Sequence, residues 1–92
     1  MQNCILTIQI STKPKRNTKH NFSTFFVKIL NATKGKSYYY MKAFAWGDPG
    51  RNIHNLYRKG DYMIIESYII YKPVVRTNIL VVTREHPIFL ST

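Results

Sequence analysis

The residues best suited to chemistry lie at alternate positions between Tyr38 and Trp46 and combine four aromatic rings with one amine. They are Tyr38, Tyr40, Lys42, Phe44 and Trp46. In a β-strand these residues share one face, while the smaller residues between them form a core-like face. Exposed aromatic rings mark binding surfaces, and rings beside a cation suit stacked bases and phosphates. The spacing therefore predicts an aromatic–lysine ladder that binds a nucleic acid strand.

Two other interpretations of the same residues stay open. The tyrosine run from Tyr38 to Tyr40 also fits ordinary strand propensity combined with a protein interface. Trp46, beside Gly47, also fits a core residue at one end of a barrel. These interpretations predict a surface that contacts protein instead of bases.

The charge balance favours a polyanionic partner. The chain of 92 residues has 14 Lys and Arg against 4 Asp and Glu, for a formal net charge of +10. Such a field attracts nucleic acid, although a generally basic protein has the same balance. The length predicts one small domain, and we expect self-association because a core of this size is marginal.

Enzyme chemistry is poorly supported. Metal-assisted hydrolysis needs clustered carboxylates, but the acidic residues are single and dispersed, and the 3 histidines have no metal-binding spacing. Cys4 is the one cysteine, and its alternation predicts a buried position where it acts as a small hydrophobe. We predict a non-enzymatic protein without cofactor, metal site or small-molecule substrate, and without a membrane-spanning segment.

Hydrophobic periodicity predicts five strands and one helix. The strands cover Cys4 to Ile10, Phe22 to Leu30, Tyr38 to Trp46, Asp61 to Tyr71 and Thr77 to Thr83. On the second strand, Phe26 and Lys28 face outward and extend the ladder. On the fourth, both faces are apolar, and Ile64 with Ile70 suits a subunit contact.

The polar segments complete this organisation. Ser11 to Asn21 is predicted to be a loop, or an extended strand beside the groove, that contacts phosphates through Lys15, Arg16 and Lys19; a solvated charge run is the alternative. The helix is predicted to begin at an Asp48 N-cap with Pro49 next and to stop at Gly60. Its predicted apolar stripe is Ile53, Leu56 and Tyr57.

Five strands with a helix between the third and fourth form the element order of the five-stranded oligonucleotide/oligosaccharide-binding (OB) barrel, an all-β fold. A further set of short motifs runs through most of the chain: Met1-Gln2-Asn3, Lys13-Pro14, Phe22 to Val27, Tyr40 to Gly47, Leu56-Tyr57-Arg58-Lys59-Gly60 and Ile65-Glu66. In these motifs the chain resembles the bacterial-type single-stranded DNA-binding proteins, and more narrowly the small ones of plastids and cyanobacteria.

The resemblance implies a homodimer or homotetramer that binds single-stranded DNA without sequence preference, in replication, recombination or repair. It implies stacking positions at Tyr40 and Trp46, with Lys42 as the basic position between them. It also implies a plastid location; otherwise we expect a cytoplasmic one. RNA is a possible ligand, because stacking and charge do not read the 2′-hydroxyl.

Some departures from the family pattern weaken this carry-over: Ser67 stands in place of a glycine, the expected tryptophan falls near Val74, and the hairpin around Pro73 is short. The apolar faces of the fourth strand, and the expected absence of the family's acidic recruiting tail, favour a different hypothesis. The alternative function is therefore an OB-type interaction or assembly subunit, similar to primosome subunits, without tight strand binding. In either case we expect a single domain over residues 1–86 and a short C-terminal tail over residues 87–92.

Overall fold

A computed structural model of the protein describes residues 3–30 and 39–87. Within them the chain forms six strands and one helix. In chain order these are β1 (Cys4–Ile10), β2 (Lys15–Asn17), β3 (Phe22–Ile29), β4 (Tyr39–Trp46), α1 (Gly47–Leu56), β5 (Tyr62–Lys72) and β6 (Thr77–Pro87).

The five long strands close into a barrel. β1 pairs with both β5 and β3, β5 pairs with β6, β6 with β4, and β4 with β3. The β4–β6 pairing is parallel and the others are antiparallel. This is the OB-type barrel that the sequence predicts, with the helix at the predicted place. Strand β2 is an addition, and it lies outside the barrel along the free edge of β3.

The core lies inside the barrel and is made of inward-facing residues from every long strand. They include Ile8, Ile10, Phe25, Val27, Ala43, Ala45, Met63, Ile65, Leu80 and Val82. From α1, Ile53 is fully buried against them, so the helix closes one end of the barrel. Burial at alternate positions fixes which face of each strand points outward.

The helix differs from its prediction at both ends. Its N-cap is Trp46, without a side-chain hydrogen bond, so Asp48 is not the cap and pairs with Arg51 instead. The helix ends at Leu56, whose side chain is 72% exposed. Gly60 belongs to the next turn, where its N–H donates to the carbonyl of Ile10, because the approach of β1 decides where the chain turns.

Two predictions on the strands are wrong. Cys4 is exposed, because it lies at the end of β1 and the inward row on that strand is buried only from Ile8 onward. The fifth long strand does not end at Thr83 but continues to Pro87. Its extension pairs with β5 beyond a bulge between Glu66 and Ser67. The predicted tail lies almost wholly outside the described residues, so the domain boundary stays a prediction.

Candidate nucleic-acid interface

The outer face of β4 presents the ladder to solvent. Ala43 and Ala45 are fully buried, whereas the residues between and beside them point outward. Tyr40 is 64% exposed and Trp46 is 50% exposed. The small inward residues let β4 pack tightly over the core, which leaves the large rings no room on that side. The predicted separation of the two faces is confirmed, and Trp46 is not a core residue.

The outer face of β3 continues this surface. In the antiparallel register Phe22 lies opposite Trp46, Phe26 opposite Lys42, and Lys28 opposite Tyr40. Cross-strand partners share a face of the sheet, so Phe26, which is 45% exposed, and Lys28 lie beside the ladder as predicted. We call the outward residues of β3 and β4 together the ladder face.

Three aromatic rings cluster at one end of the ladder face. The Phe22 ring centroid lies 4.7 Å from that of Trp46 and 5.6 Å from that of Phe44. The Phe44 and Trp46 centroids are 6.3 Å apart, with ring planes 20° from parallel. Phe22 was missed as a site residue, although the same alternation that selects Phe26 and Lys28 also selects it. The cluster holds the half-exposed Trp46 ring against two neighbouring rings of the ladder face.

Two lysines lie over rings of the same face. The Nζ of Lys28 is 5.5 Å from the Tyr40 ring centroid, and the Nζ of Lys42 is 5.4 Å from the Phe44 centroid. Both distances suit cation–π attraction. The ammonium groups are therefore held beside the rings, where a strand that stacks its bases would bring its phosphates.

Strand β2 turns one edge of the ladder face into a groove. The groove has a volume of about 360 Å³. It is lined by Lys15, Arg16, Asn17, Phe22, Thr24, Lys42 and Phe44. Lys15 lies opposite Thr24 in the β2–β3 pairing, which brings an exposed amine to the rim. The predicted basic loop therefore contains the extended strand that the sequence left as one of its options.

Arg16 also forms hydrogen bonds that hold the wall of the groove in place. Its guanidinium donates to Asn21 Oδ1 and, at 3.4 Å, to Ser23 Oγ. The Ser23 hydroxyl in turn donates to the carbonyl of Gly50 at 2.7 Å. Arg16 thus links β2, β3 and the helix while it lines the groove. Lys19 lies exposed in the turn that follows β2, away from the groove lining, and Tyr38 lies outside the described residues.

The ladder face passes across β6 into a second surface, on which apolar side chains predominate. Lys42 on β4 lies opposite Ile79 on β6, and Ile79 lies opposite Ile70 on β5. In the next outward row Phe44, Val81 and Tyr68 are aligned in the same way. Ile79 and Val81 are nearly buried within this sheet. We call the outward residues Tyr62, Ile64, Tyr68 and Ile70 the β5 face.

The groups with shifted pKa values lie away from the ladder. His86 Nε2 is 2.8 Å from Glu66 Oε2, and this hydrogen bond holds the pKa of Glu66 below its usual range, helped by the charge of Arg84. Burial, followed by the charge of Glu85, raises the pKa of Tyr57, whose hydroxyl donates to that carboxylate. These contacts tie β5 to β6 and the helix to β6. The described residues include no cluster of three His, Cys, Asp or Glu suited to a metal ion.

Comparison with known proteins shows the class of fold. No family model matches the chain, and no curated protein matches it. Among solved structures, the SSB domain of a Synechococcus sp. protein superposes with a TM-score of 0.69 at 18% identity, over 94% of each chain. The chain therefore has the OB fold of single-stranded DNA-binding domains, and the predicted resemblance is confirmed at the level of fold.

Two further solved structures have the same fold as this chain. The second single-stranded DNA-binding protein (SSBb) of Mycobacterium smegmatis gives a TM-score of 0.72 at 15% identity, over 94% of this chain and 87% of the other. Rim1, a mitochondrial single-stranded DNA-binding protein of S. cerevisiae, gives a TM-score of 0.62 at 12% identity, over 92% of this chain and 91% of the other.

Within the described residues, no helix has the length and apolar character needed to cross a membrane.

Proposed function

We propose that the protein binds single-stranded DNA without sequence preference, by stacking bases on the ladder face and pairing phosphates with the cations beside it. The observation that carries the proposal is the placement of Tyr40 and Trp46 as exposed rings on one strand with Lys28 and Lys42 over neighbouring rings. A duplex keeps its bases stacked on one another and cannot offer them to these rings. Every base has a π-face, so the ladder discriminates little among sequences.

Phosphate contacts supply the second part of the binding. Lys15 and Arg16 on the groove wall, with Lys42 on its floor, form a basic track beside the rings. Counterion release from such contacts makes affinity fall as salt rises, with a slope of about 0.7 per phosphate on a single strand. The net charge of +10 strengthens this attraction over the whole molecule.

The test is a titration of labelled oligo(dT), oligo(U) and duplex DNA, followed by fluorescence anisotropy. The Trp46→Ala protein should bind oligo(dT) more weakly by about 1–3 kcal/mol, because one stacked base is lost. The Trp46→Phe protein keeps a ring and is the matched control, so it should retain most of the affinity. The salt slope should be the same in all three proteins, since no phosphate contact changes.

Two results would contradict the proposal. One is equal affinity for duplex and single strand; the other is an effect of Trp46→Phe as large as that of Trp46→Ala. The first would mean that charge acts without stacking, and the second that Trp46 contributes by something other than ring stacking. Stacking and charge do not distinguish ribose from deoxyribose. Stronger binding of oligo(U) than of oligo(dT) would therefore keep the binding mode but change the proposed ligand from DNA to RNA.

The functional unit in this proposal is a homo-oligomer. Its support is the β5 face, where Ile64 and Ile70 lie on an outward surface of an otherwise well-packed barrel. The same face favours a second candidate, an OB-type interaction or assembly subunit that binds other proteins and lacks tight strand binding. Sedimentation velocity of the isolated protein separates the two, since a self-associating protein should sediment above its monomer mass of 10.8 kDa.

The cellular role in the proposal is replication, recombination or repair of DNA in a plastid. It rests on the resemblance of the sequence to small plastid and cyanobacterial proteins of this type, together with the shared fold. Organelle fractionation followed by cross-linking to DNA would test it. Recovery from another compartment would contradict the plastid assignment, and it would leave the binding chemistry untouched.

A further inference from the structure

A second basic concavity lies outside the ladder face, between the β1–β2 segment and the C-terminal end of α1. It has a volume of about 440 Å³, and its lining includes Lys13, Pro14, His54, Arg58 and Lys59. None of its lining residues is acidic. Asp61, the nearest acidic residue along the chain, uses its carboxylate to accept the backbone N–H of Arg58 at 2.8 Å.

The cations of this concavity are not used elsewhere in the fold. In residues 3–30 and 39–87 the ion pairs join Arg51 to Asp48, and Arg84 and His86 to Glu66. Lys13, Arg58 and Lys59 take part in none of these pairs. Three like charges gathered in one concavity repel one another, and an anionic ligand would relieve that repulsion.

Hydrogen bonds hold the walls in place. The N–H of Gly60 donates to the carbonyl of Ile10 at 2.7 Å, and the N–H of Ile10 donates to the carbonyl of Asp61 at 2.9 Å. The side chain of Gln9 donates to the carbonyl of Gly60 at 3.1 Å. The turn that carries Arg58 and Lys59 is therefore fixed to β1, so a ligand would meet a site that needs little ordering.

The same segment connects this concavity with the ladder face. The N–H of Phe26 on β3 donates to Thr12 Oγ1 at 2.9 Å, and the N–H of Ser11 donates to the carbonyl of Phe26 at 2.8 Å. Lys13 follows Thr12 directly and lines the concavity, whereas Lys15, two residues on, lines the groove. Residues before a proline are extended, so the backbone positions of Lys13 and Lys15 lie about 7 Å apart.

From this geometry we propose that the concavity is a second phosphate site, which binds backbone phosphates of the single strand held by the ladder. The inference rests on the proposed function and deepens it, because it gives the path of the bound strand. The strand leaves the ladder face, passes Lys15 and then Lys13, and reaches the C-terminal end of the helix. The negative end of the α1 dipole opposes an anion here, but it amounts to about half a charge against three full cations.

The test compares two double substitutions with equal charge loss. Lys13→Gln/Lys59→Gln empties the concavity of two cations. Lys72→Gln/Arg76→Gln removes two from the tip of the β5–β6 hairpin, at the far end of an 11-residue strand, about 30 Å away. Each protein is titrated with oligo(dT) of about 8 and about 16 nucleotides, within the range that one OB fold covers, at several salt concentrations.

We expect the Lys13/Lys59 protein to bind the shorter oligonucleotide within twofold of the original and the longer one about tenfold more weakly at low salt. Its salt slope on the longer one should fall by about 1.4, because each phosphate contact contributes about 0.7. The hairpin-tip protein should lose no more than about twofold on either length, through its lower net charge, and its salt slope should stay that of the original.

Two results would overturn the inference. Equal losses in both double variants would mean that only net charge acts. Unchanged binding with a lowered melting temperature would mean that the cations merely offset the helix dipole. The proposed function fails on a different measurement, the response of the shorter oligonucleotide to Trp46→Ala.

Discussion

The ladder face and the β5 face are two outward surfaces of one barrel, and both are rich in large apolar side chains. They differ in where the cations are. On the ladder face Lys28 and Lys42 lie over aromatic rings, whereas the charges beside the β5 face, Glu66 with Arg84 and His86, are paired with one another. Lysines held over aromatic rings suit the proposed nucleic-acid contact, whereas charges paired with one another beside aliphatic side chains suit the proposed protein contact.

The substitution with the largest expected effect destabilises the barrel itself, and with it both faces. A Cβ on Gly50 would lie 2.1 Å from the carbonyl oxygen of Ala45, which is backbone and cannot move aside. Gly50→Ala should therefore lower the free energy of unfolding by about 3 kcal/mol or more, measured by urea denaturation. Gly47→Ala is the control: a Cβ there meets nothing within 4 Å, and it should cost about 1 kcal/mol through its positive φ. Equal losses would contradict the packing argument.

A pair of charge substitutions separates the two faces. Lys42→Glu should weaken binding of a short oligo(dT) by about a hundredfold at low salt, because it replaces a phosphate contact with a repulsion, and it should leave the sedimenting mass unchanged. Ile64→Glu should do the reverse, lowering the mass to that of a monomer while the short oligonucleotide still binds. If either substitution changed both readouts equally, the two faces would be one surface.

A smaller effect tests the rim of the groove. Lys15→Gln should weaken binding about threefold to fivefold at moderate salt and lower the salt slope by about 0.7, the share of one phosphate. Lys19→Gln is the matched control, because Lys19 lies in the turn beyond β2 and outside the groove lining. An equal loss from Lys19→Gln would extend the binding path over that turn.

The smallest expected effect concerns the paired charges beside the β5 face. The lowered pKa of Glu66 means that the carboxylate stabilises the fold at neutral pH, and this contribution is lost as pH falls through the folded-state pKa. His86→Ala should raise the pKa of Glu66, measured by NMR titration of its carboxyl group. Arg84→Gln should raise it less, since the hydrogen bond from His86 is the larger cause. An unchanged pKa in His86→Ala would exclude this pairing in solution.

The ladder could be predicted from sequence because it depends on a local rule. Period-two alternation at Ala43, Ala45 and Trp46 decides their faces wherever the strand is placed, and the structure agrees. The same alternation places Phe22 on the outward face of β3 with Phe26 and Lys28, opposite Trp46. Predictions were wrong where contacts with distant parts of the chain decide the structure. Leu56 fits a helical stripe but lies exposed instead of on the core. Gly60 lies in a turn because its N–H is hydrogen-bonded to β1.

The basic concavity could not be predicted in the same way. Lys13 and Lys59 are far apart in sequence, and only the pairing of β1 with the turn after the helix brings them together. Each looks like an ordinary solvated lysine when read alone. The strand β2 is similar, since three residues are too few for a periodic signal and the strand forms only because β3 offers a free edge.

The order of the strands also bears on how the protein folds. β2, β3 and β4 follow one another in the chain and pair with their sequence neighbours, whereas barrel closure must bring Cys4 to Ser67 and β4 to β6. Local pairing is fast and distant pairing is slow. The ladder face therefore belongs to the part of the chain that is synthesised and paired early, so a nascent chain would form this face before β5 and β6 exist to close the barrel behind it.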